Sequence, residues 1–231
     1  MTLRALFLDF GGTLVHEHPS RSEIYAEAAR AAGTEISADE MHALMTRAQG
    51  ALPRTADGAY RYSDAWFRVF IERIFQDELG LPRDAMAGFQ EELFARFSDA
   101  ATFTLFPGAE ELLGVPDELG LGLGMISNWS PRLPLVLERM QLAPRFDTVV
   151  CSAIEELEKP EPAIFELALA RLGVAPHEAL HAGDDPEKDA AGALATGMRA
   201  VLVDRSGTMT PPDGAMVVSD LDGLTALLRR P

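Results

Sequence analysis

Residues 3–9 are apolar with almost no polar interruption, the pattern of a strand buried on both faces. A different rhythm follows. Stretches 20–33, 37–50, 63–80 and 82–97 carry apolar residues at three- and four-residue spacing, which predicts four helices. Ser37 and Ser63 are capping-type residues at two of the starts, two helices end on or near glycine, and Pro82 suits a first helical turn. Residues 52–62, polar and containing Gly58, read as a loop. After residue 105 the pattern changes again. Short apolar segments at 121–127, 146–151, 178–183 and 198–204 predict strands, and 131–140, 162–173 and 186–197 predict the helices between them. That alternation implies a parallel sheet with right-handed crossovers, an α/β chain interrupted after its first strand by helices. Such an insertion lies over the carboxyl edge of the sheet, where open α/β folds bind ligands.

Charge narrows the choice of partners. The chain has 36 acids and 20 Lys and Arg, a net charge of −16, with no basic run beyond Arg229 and Arg230. That balance argues against a nucleic-acid groove or an anionic membrane surface, and an anionic substrate needs a local positive device. The single cysteine, Cys151, rules out an internal disulfide and fits a reducing, cytoplasmic setting. Asp9 interrupts the N-terminal apolar stretch, so no signal peptide is expected, and no run approaches the ~20 apolar residues of a bilayer span. Lysine occurs only at Lys159 and Lys188 in a chain that otherwise uses arginine, so each lysine asks for a reason.

The chemistry-bearing residues sit just after predicted strands. The stretch LFLDFGGTLV carries Asp9 and Thr13 around a Gly11–Gly12 turn. Ser127 and Asn128 follow the second strand, Lys159 and Pro160 follow the third and its acidic loop, and GDDPEKD, with Asp184 and Asp189, follows the fourth. Each has an ordinary alternative. An aspartate caps turns, a lysine is usually a solvated charge, a loop serine is common, and Asp185–Pro186 reads as an N-cap followed by a first-turn proline. The N-cap reading covers Asp185 well and Asp189 partly, and leaves Asp184, beside Gly183 at a strand end, unexplained. Pro160 keeps Lys159 extended at the mouth of a helix.

In order and strand context the four stretches resemble the haloacid dehalogenase-like hydrolase superfamily, specifically its phosphatase branch with a small helical cap. The resemblance spans nearly the whole chain, though only the core stretches are specific. It implies a Rossmann-like parallel sheet core at residues 1–15 and 106–231 and a four-helix cap domain at 16–105. It also implies a phosphatase acting through an aspartyl-phosphate on a small phosphorylated metabolite. Asp9 is then the nucleophile, and Asp9, Thr13, Ser127 and Lys159 are the residues expected to act on the phosphoryl group. Ser127, Asn128 and Lys159 bind it, and Mg²⁺ is held by Asp9, the main-chain oxygen of Gly11, and Asp184. Asp189 and Asp185 stand behind the metal, bonding its waters or steadying Lys159.

One departure matters. The family's phosphatases carry a second aspartate two residues after the nucleophile, which protonates the leaving alcohol and then activates water. Here Gly11 takes that place. Losing a general acid/base costs ~10²–10⁴ in rate, most on alkoxide leaving groups and least on acyl or aryl phosphates. His16, Glu17 and His18 at the hinge are candidate substitutes, although a plain hinge loop explains them equally. Two other readings remain: a phosphate- or protein-binding module on the same fold, and an L-2-haloacid dehalogenase, which the two acids after Gly183 disfavour. Trp129 is expected to pack beneath the cap and Lys188 to be solvated; Arg54, Tyr60, Arg61 and Tyr62 are candidate substrate contacts, with solvated loop residues the favoured reading. Oligomeric state is not legible.

Overall fold

The computed structural model describes residues 2–56 and 58–230, the side chain of Ala85 aside. Six parallel strands form one sheet. In chain order these are β1 (Ala5–Leu8), β6 (Gly122–Ser127), β7 (Thr148–Cys151), β8 (Ala179–Gly183), β9 (Arg199–Val203) and β10 (Met216–Val218), laid side by side as β10-β9-β8-β1-β6-β7. β1 is therefore central, with β6 on one side and β8 on the other. Alternation along it builds two cores. Leu6 and Leu8 face a cluster with Leu112, Val136 and Leu224 of helices α5 (Ala109–Leu119), α6 (Leu133–Arg139) and α10 (Leu221–Leu228). Ala5 and Phe7 face the other, with Ile164, Phe165 and Ala193 of α8 (Pro162–Leu172) and α9 (Gly192–Ala195). A short α7 (Ser152–Glu155) directly follows β7.

Chain order runs outward from β1 to β7 and then jumps back to β8. This reversal opens a crevice at the carboxyl ends of β1 and β8, where α/β sheets bind ligands.

The inserted segment holds helices α1 (Arg21–Ala31), α2 (Ala38–Ala51), α3 (Asp64–Glu72, continued by a π-helical turn Arg73–Glu78) and α4 (Met86–Arg96). Their boundaries fall within a few residues of those the periodicity predicts, because Ser20 and Ser37 close capping boxes with Glu23 and Glu40 and Ser63 caps α3. Pro82 sits just before a 3₁₀ turn, Arg83–Ala85, rather than within a helix. The helices bury a cluster of their own, including Tyr25, Met41, Trp66, Phe70, Phe75 and Leu93. The segment is entered and left through a two-stranded antiparallel ribbon, β2 (Val15–Glu17) with β5 (Phe103–Leu105). The stretch read as a loop at 52–62 contains a second small ribbon, β3 (Thr55–Ala56) with β4 (Ala59–Tyr60); Asp57 lies outside the described residues. Among the described residues no helix is long and apolar enough to cross a membrane.

Arg54 and Arg61, beside the second ribbon, are neither solvated charges nor part of the cleft lining. Arg54 bonds both carboxylate oxygens of Glu161 and the Tyr60 hydroxyl (2.6 Å) and lies 3.2 Å from Glu158, while Arg61 reaches Glu158 at 3.5 Å. These pairs tie the inserted segment to the loop that carries Lys159. Half-exposed pairs of this kind are each worth about 1 kcal/mol or less. We therefore expect Arg54→Ala to leave the melting temperature within a few degrees of wild type while accelerating proteolytic cleavage in loop 52–62. An unchanged cleavage rate would show that these pairs do not hold the loop.

Candidate active site

Asp9 directly follows β1 and is 6% exposed. Its Oδ1 accepts a 2.8 Å hydrogen bond from Lys159 Nζ, and the same ammonium donates to Asp189 Oδ1 at 2.5 Å. Lys159, 4% exposed, is carried on the segment after α7 and fixed by Asn128. The Asn128 Oδ1 accepts from the Lys159 main-chain N–H (2.8 Å) and its Nδ2 donates to the Lys159 carbonyl (2.9 Å). The Asn128 side chain therefore orients the lysine backbone, which leaves its own main-chain N–H as the group expected to meet the phosphoryl oxygens. Ser127 is buried at the end of β6, beside Asp9.

Asp184 follows β8, and its Oδ1 accepts from the Thr13 hydroxyl at 2.8 Å. Asp185 caps the π-helical turn Pro186–Ala191 through Glu187 and Lys188 N–H groups (3.0 and 2.8 Å), and its own N–H donates to Asp189 Oδ2 at 3.0 Å. Lys188, expected in solvent, pairs with Asp185 at 2.6 Å on the rim of the cleft. Behind Asp189 lies His181 on β8, fully buried, with Nε2 2.9 Å from Asp189 Oδ1 and Nδ1 without a hydrogen-bond partner among the described residues. The result is a buried line of groups, Asp9–Lys159–Asp189–His181.

Burial shifts these groups in different directions. Asp189 is held well below the usual carboxylate range, because Lys159 and His181 outweigh the burial that would raise it. Lys159 is held above the usual lysine range: burial opposes its charge, and Asp189 and Asp9 together prevail. Asp9, the more distant of the lysine's two partners, is raised by burial against the pull of Lys159. Asp184 is pushed up to about 6, by burial first and then by the carboxylates of Asp9 and Asp189. Oxygens of Asp9, Asp184 and Asp189 lie within 4.8 Å of one another. Three hard donors so close, two of them raised by burial and by a neighbouring carboxylate, form a site that a divalent cation would relieve.

The two turn glycines are sterically constrained. Gly12 has φ +84°, and a Cβ there would come within 2.4 Å of Asp184 Oδ2. Arg205 holds the same turn, donating to the carbonyls of Gly12 (2.6 Å) and Thr13 (2.7 Å) with its guanidinium stacked on Phe106. Gly12→Ala therefore combines backbone strain of about 1–3 kcal/mol with displacement of Asp184. We expect a lower melting temperature in thermal unfolding; an unchanged melting temperature would show that the turn and Asp184 absorb the added Cβ. At Gly11 a Cβ would lie 2.3 Å from Trp129 Cζ3.

These residues floor a cleft of about 450 Å³ whose opposite wall includes Arg21, Tyr25, His42, Gln49 and Phe67 of the inserted helices. Of the hinge candidates, Glu17 lines the cleft but is bonded to Arg21, at 3.0 Å through Nε. His16 packs on Phe106, and His18 lies outside the lining. Of the four candidate loop residues, Tyr62 reaches the cleft. His181, Arg205 and Arg21 were not singled out from the sequence. A histidine inside the apolar run 178–183 was the one available signal.

A family model described as haloacid dehalogenase-like hydrolase matches residues 3–197. The chain belongs to the haloacid dehalogenase-like hydrolases. It is 33% identical over 208 residues to haloacid dehalogenase-like hydrolase domain-containing protein 3 of Bos taurus, covering 88% of this chain and 82% of that one. Phosphoserine phosphatase of Thermus thermophilus is 36% identical over 152 residues, 65% of this chain and 61% of that protein. The crystal structure of a phosphatase of this family from Thermococcus onnurineus superposes with a TM-score of 0.70 at 26% identity, over 98% of both chains. Its relatives thus place this chain among hydrolases that include phosphatases.

Proposed function

We propose that the protein is a Mg²⁺-dependent phosphatase of small phosphorylated molecules that works through Asp9, and that residues 16–105 act as its cap. The observation that carries this reading is the placing of Asp9 against Lys159 and within 4.8 Å of Asp184 and Asp189 at the base of a closed-over cleft. The donor set suits the metal. Asp189 is already committed to Lys159, His181 and the Asp185 N–H, so Asp9, Asp184 and the Gly11 carbonyl are the groups assigned to Mg²⁺. When bound, the ion neutralises charge on the phosphate and the two carboxylates.

The side chains then divide the work. Lys159 offers its ammonium to a phosphoryl oxygen while keeping Asp9 oriented, and Asp189 with His181 behind it keeps Lys159 charged. Ser127 and the Asn128 N–H receive further phosphoryl oxygens. Thr13 steadies Asp184. Asp9 forms the bond to phosphorus and the leaving oxygen takes the bonding pair. With Gly11 in place of an acid, that oxygen leaves readily only when it needs no proton. Halide displacement is disfavoured by the second carboxylate, Asp184, beside the nucleophile.

The test is phosphate release from 4-nitrophenyl phosphate, acetyl phosphate and glycerol 3-phosphate, with Mg²⁺ and with chelator. We expect metal-dependent turnover of the first two and rates on the third lower by about 10²–10⁴. Equal rates on all three, with no phosphorylated Asp9 accumulating, would refute the role given to Gly11. No turnover of any substrate, with Mg²⁺ bound, would favour a phosphate-binding module.

A further inference from the structure

The vacancy at Gly11 is filled, and by Trp129. A side chain starting there would meet Trp129 Cζ3 at 2.3 Å and Cη2 at 3.1 Å, so the six-membered ring of the indole occupies the path an acid would take. The ring is held from several sides. Its centroid lies 5.2 Å from Phe10, edge-on, and 5.8 Å from Phe103, with the Arg21 guanidinium at 5.4 Å. Its main-chain N–H donates to Ser152 Oγ at 3.0 Å. An indole carries one N–H donor and no basic atom. The other acids on the core side of the cleft are engaged: Glu17 with Arg21, Asp184 with Thr13 and assigned to Mg²⁺, Asp185 with Lys188, and Asp189 with Lys159 and His181. His42 belongs to the opposite wall, on α2.

From this arrangement, and resting on the phosphatase reading above, we infer that Trp129 stalls the reaction at its midpoint, so that phosphorylated Asp9 is the form that accumulates during turnover. In the first half, Asp9 Oδ bonds to phosphorus as the bond to the leaving oxygen breaks. A phenolate or carboxylate departs with the electron pair and takes no proton from the protein. In the second half, a water oxygen bonds to phosphorus, the bond to Asp9 breaks, and the pair returns to the carboxylate. That water must shed a proton. An ionised carboxylate at position 11 would receive it; the indole ring in its place does not. Formation is thus unimpeded and breakdown is slow, an imbalance that differs from a uniform loss of activity.

Quenched-flow measurement with 4-nitrophenyl phosphate and Mg²⁺ tests this. The expected result is a burst approaching one nitrophenolate per protein, followed by a steady rate at least about tenfold lower. Acid-quenched protein should be heavier by one HPO₃ in intact-mass analysis, an increment absent from Asp9→Asn. The combined variant Gly11→Asp with Trp129→Ala should lose the burst and the adduct and gain about 10²–10⁴ in steady rate, whereas Gly11→Asp alone should not. Asp9-dependent turnover with neither burst nor adduct would overturn the inference and leave the phosphatase reading standing, with Glu17 or His42 supplying the proton transfer. Recovery by Gly11→Asp alone, equal to that of the pair, would overturn the role of Trp129. Absence of both turnover and adduct would sink the inference and the reading together.

Discussion

Lys159→Met is expected to destabilise the protein by about 3–5 kcal/mol and to abolish phosphate release, the largest stability effect of any single change at the site. The ammonium is 4% exposed and is shared by two carboxylates that are themselves nearly inaccessible. Methionine fills the space of the stem and removes the charge, which leaves Asp9 and Asp189 buried as unpaired neighbouring anions. Their only escape is protonation. In the wild type, Asp189 sits below the usual carboxylate range, so it contributes stability above its ordinary 3.8, and this is lost as pH falls toward the folded value. In the variant Asp189 loses the counter-charge that holds it low, and Asp9, already raised by burial, loses the pull that opposed the rise. The stabilising contribution of Asp189 is thereby lost and the cost of ionising Asp9 grows: the folded state holds protons more tightly, and the variant regains stability as the solution is acidified from neutral. The gap between the two proteins should accordingly narrow on going from neutral to mildly acidic solution. Urea unfolding of both proteins across that range measures it. A variant within about 1 kcal/mol of wild type at neutral pH would mean the lysine does not neutralise the pair.

Much of this site was legible because each reactive residue follows a strand of one parallel sheet. Strands that run the same way present their carboxyl ends together, so Asp9, Ser127, Lys159 and Asp184 had to meet at one edge. The scarcity of lysine gave Lys159 a second signal. What escaped is what depends on side chains meeting across the fold. The sequence does not state that β8 lies beside β1, and so it does not place His181 behind Asp189. Nor does it show that Trp129, 118 positions after Gly11 by their numbering, fills the space above it. Arg54 and Arg61 read as solvated charges or candidate substrate contacts because the acids that neutralise them, Glu158 and Glu161, lie on the far loop. The ribbon strands β2 and β5 are three residues each, too short for alternation to register. Helix ends were better placed, since serine caps are local chemistry.

Asp9→Asn is expected to show the opposite balance, with activity reduced about 10⁶-fold, to background, and the fold nearly unchanged. An amide has no anionic oxygen to attack phosphorus, and nothing else on the core side of the cleft replaces it. Structurally the change is mild. Asparagine matches aspartate in shape, and its carbonyl accepts the Lys159 bond that Oδ1 accepts now. Lys159 keeps Asp189 as its ion-pair partner at the shorter distance of 2.5 Å, so no charge is stranded. Burial already raises the Asp9 carboxyl, which means the folded protein bears a cost for ionising it. Removing that anion should leave stability within about 1 kcal/mol of wild type in the absence of metal. With Mg²⁺ the two proteins should separate, because a cation that binds the folded wild type through Asp9 and Asp184 raises its melting temperature and loses a charged partner in the variant. Thermal unfolding with and without Mg²⁺, read beside the rate of phosphate release, distinguishes a nucleophile from a structural acid. Metal-free destabilisation as deep as that of Lys159→Met would assign Asp9 to the framework. Turnover surviving above background would remove it from the reaction altogether.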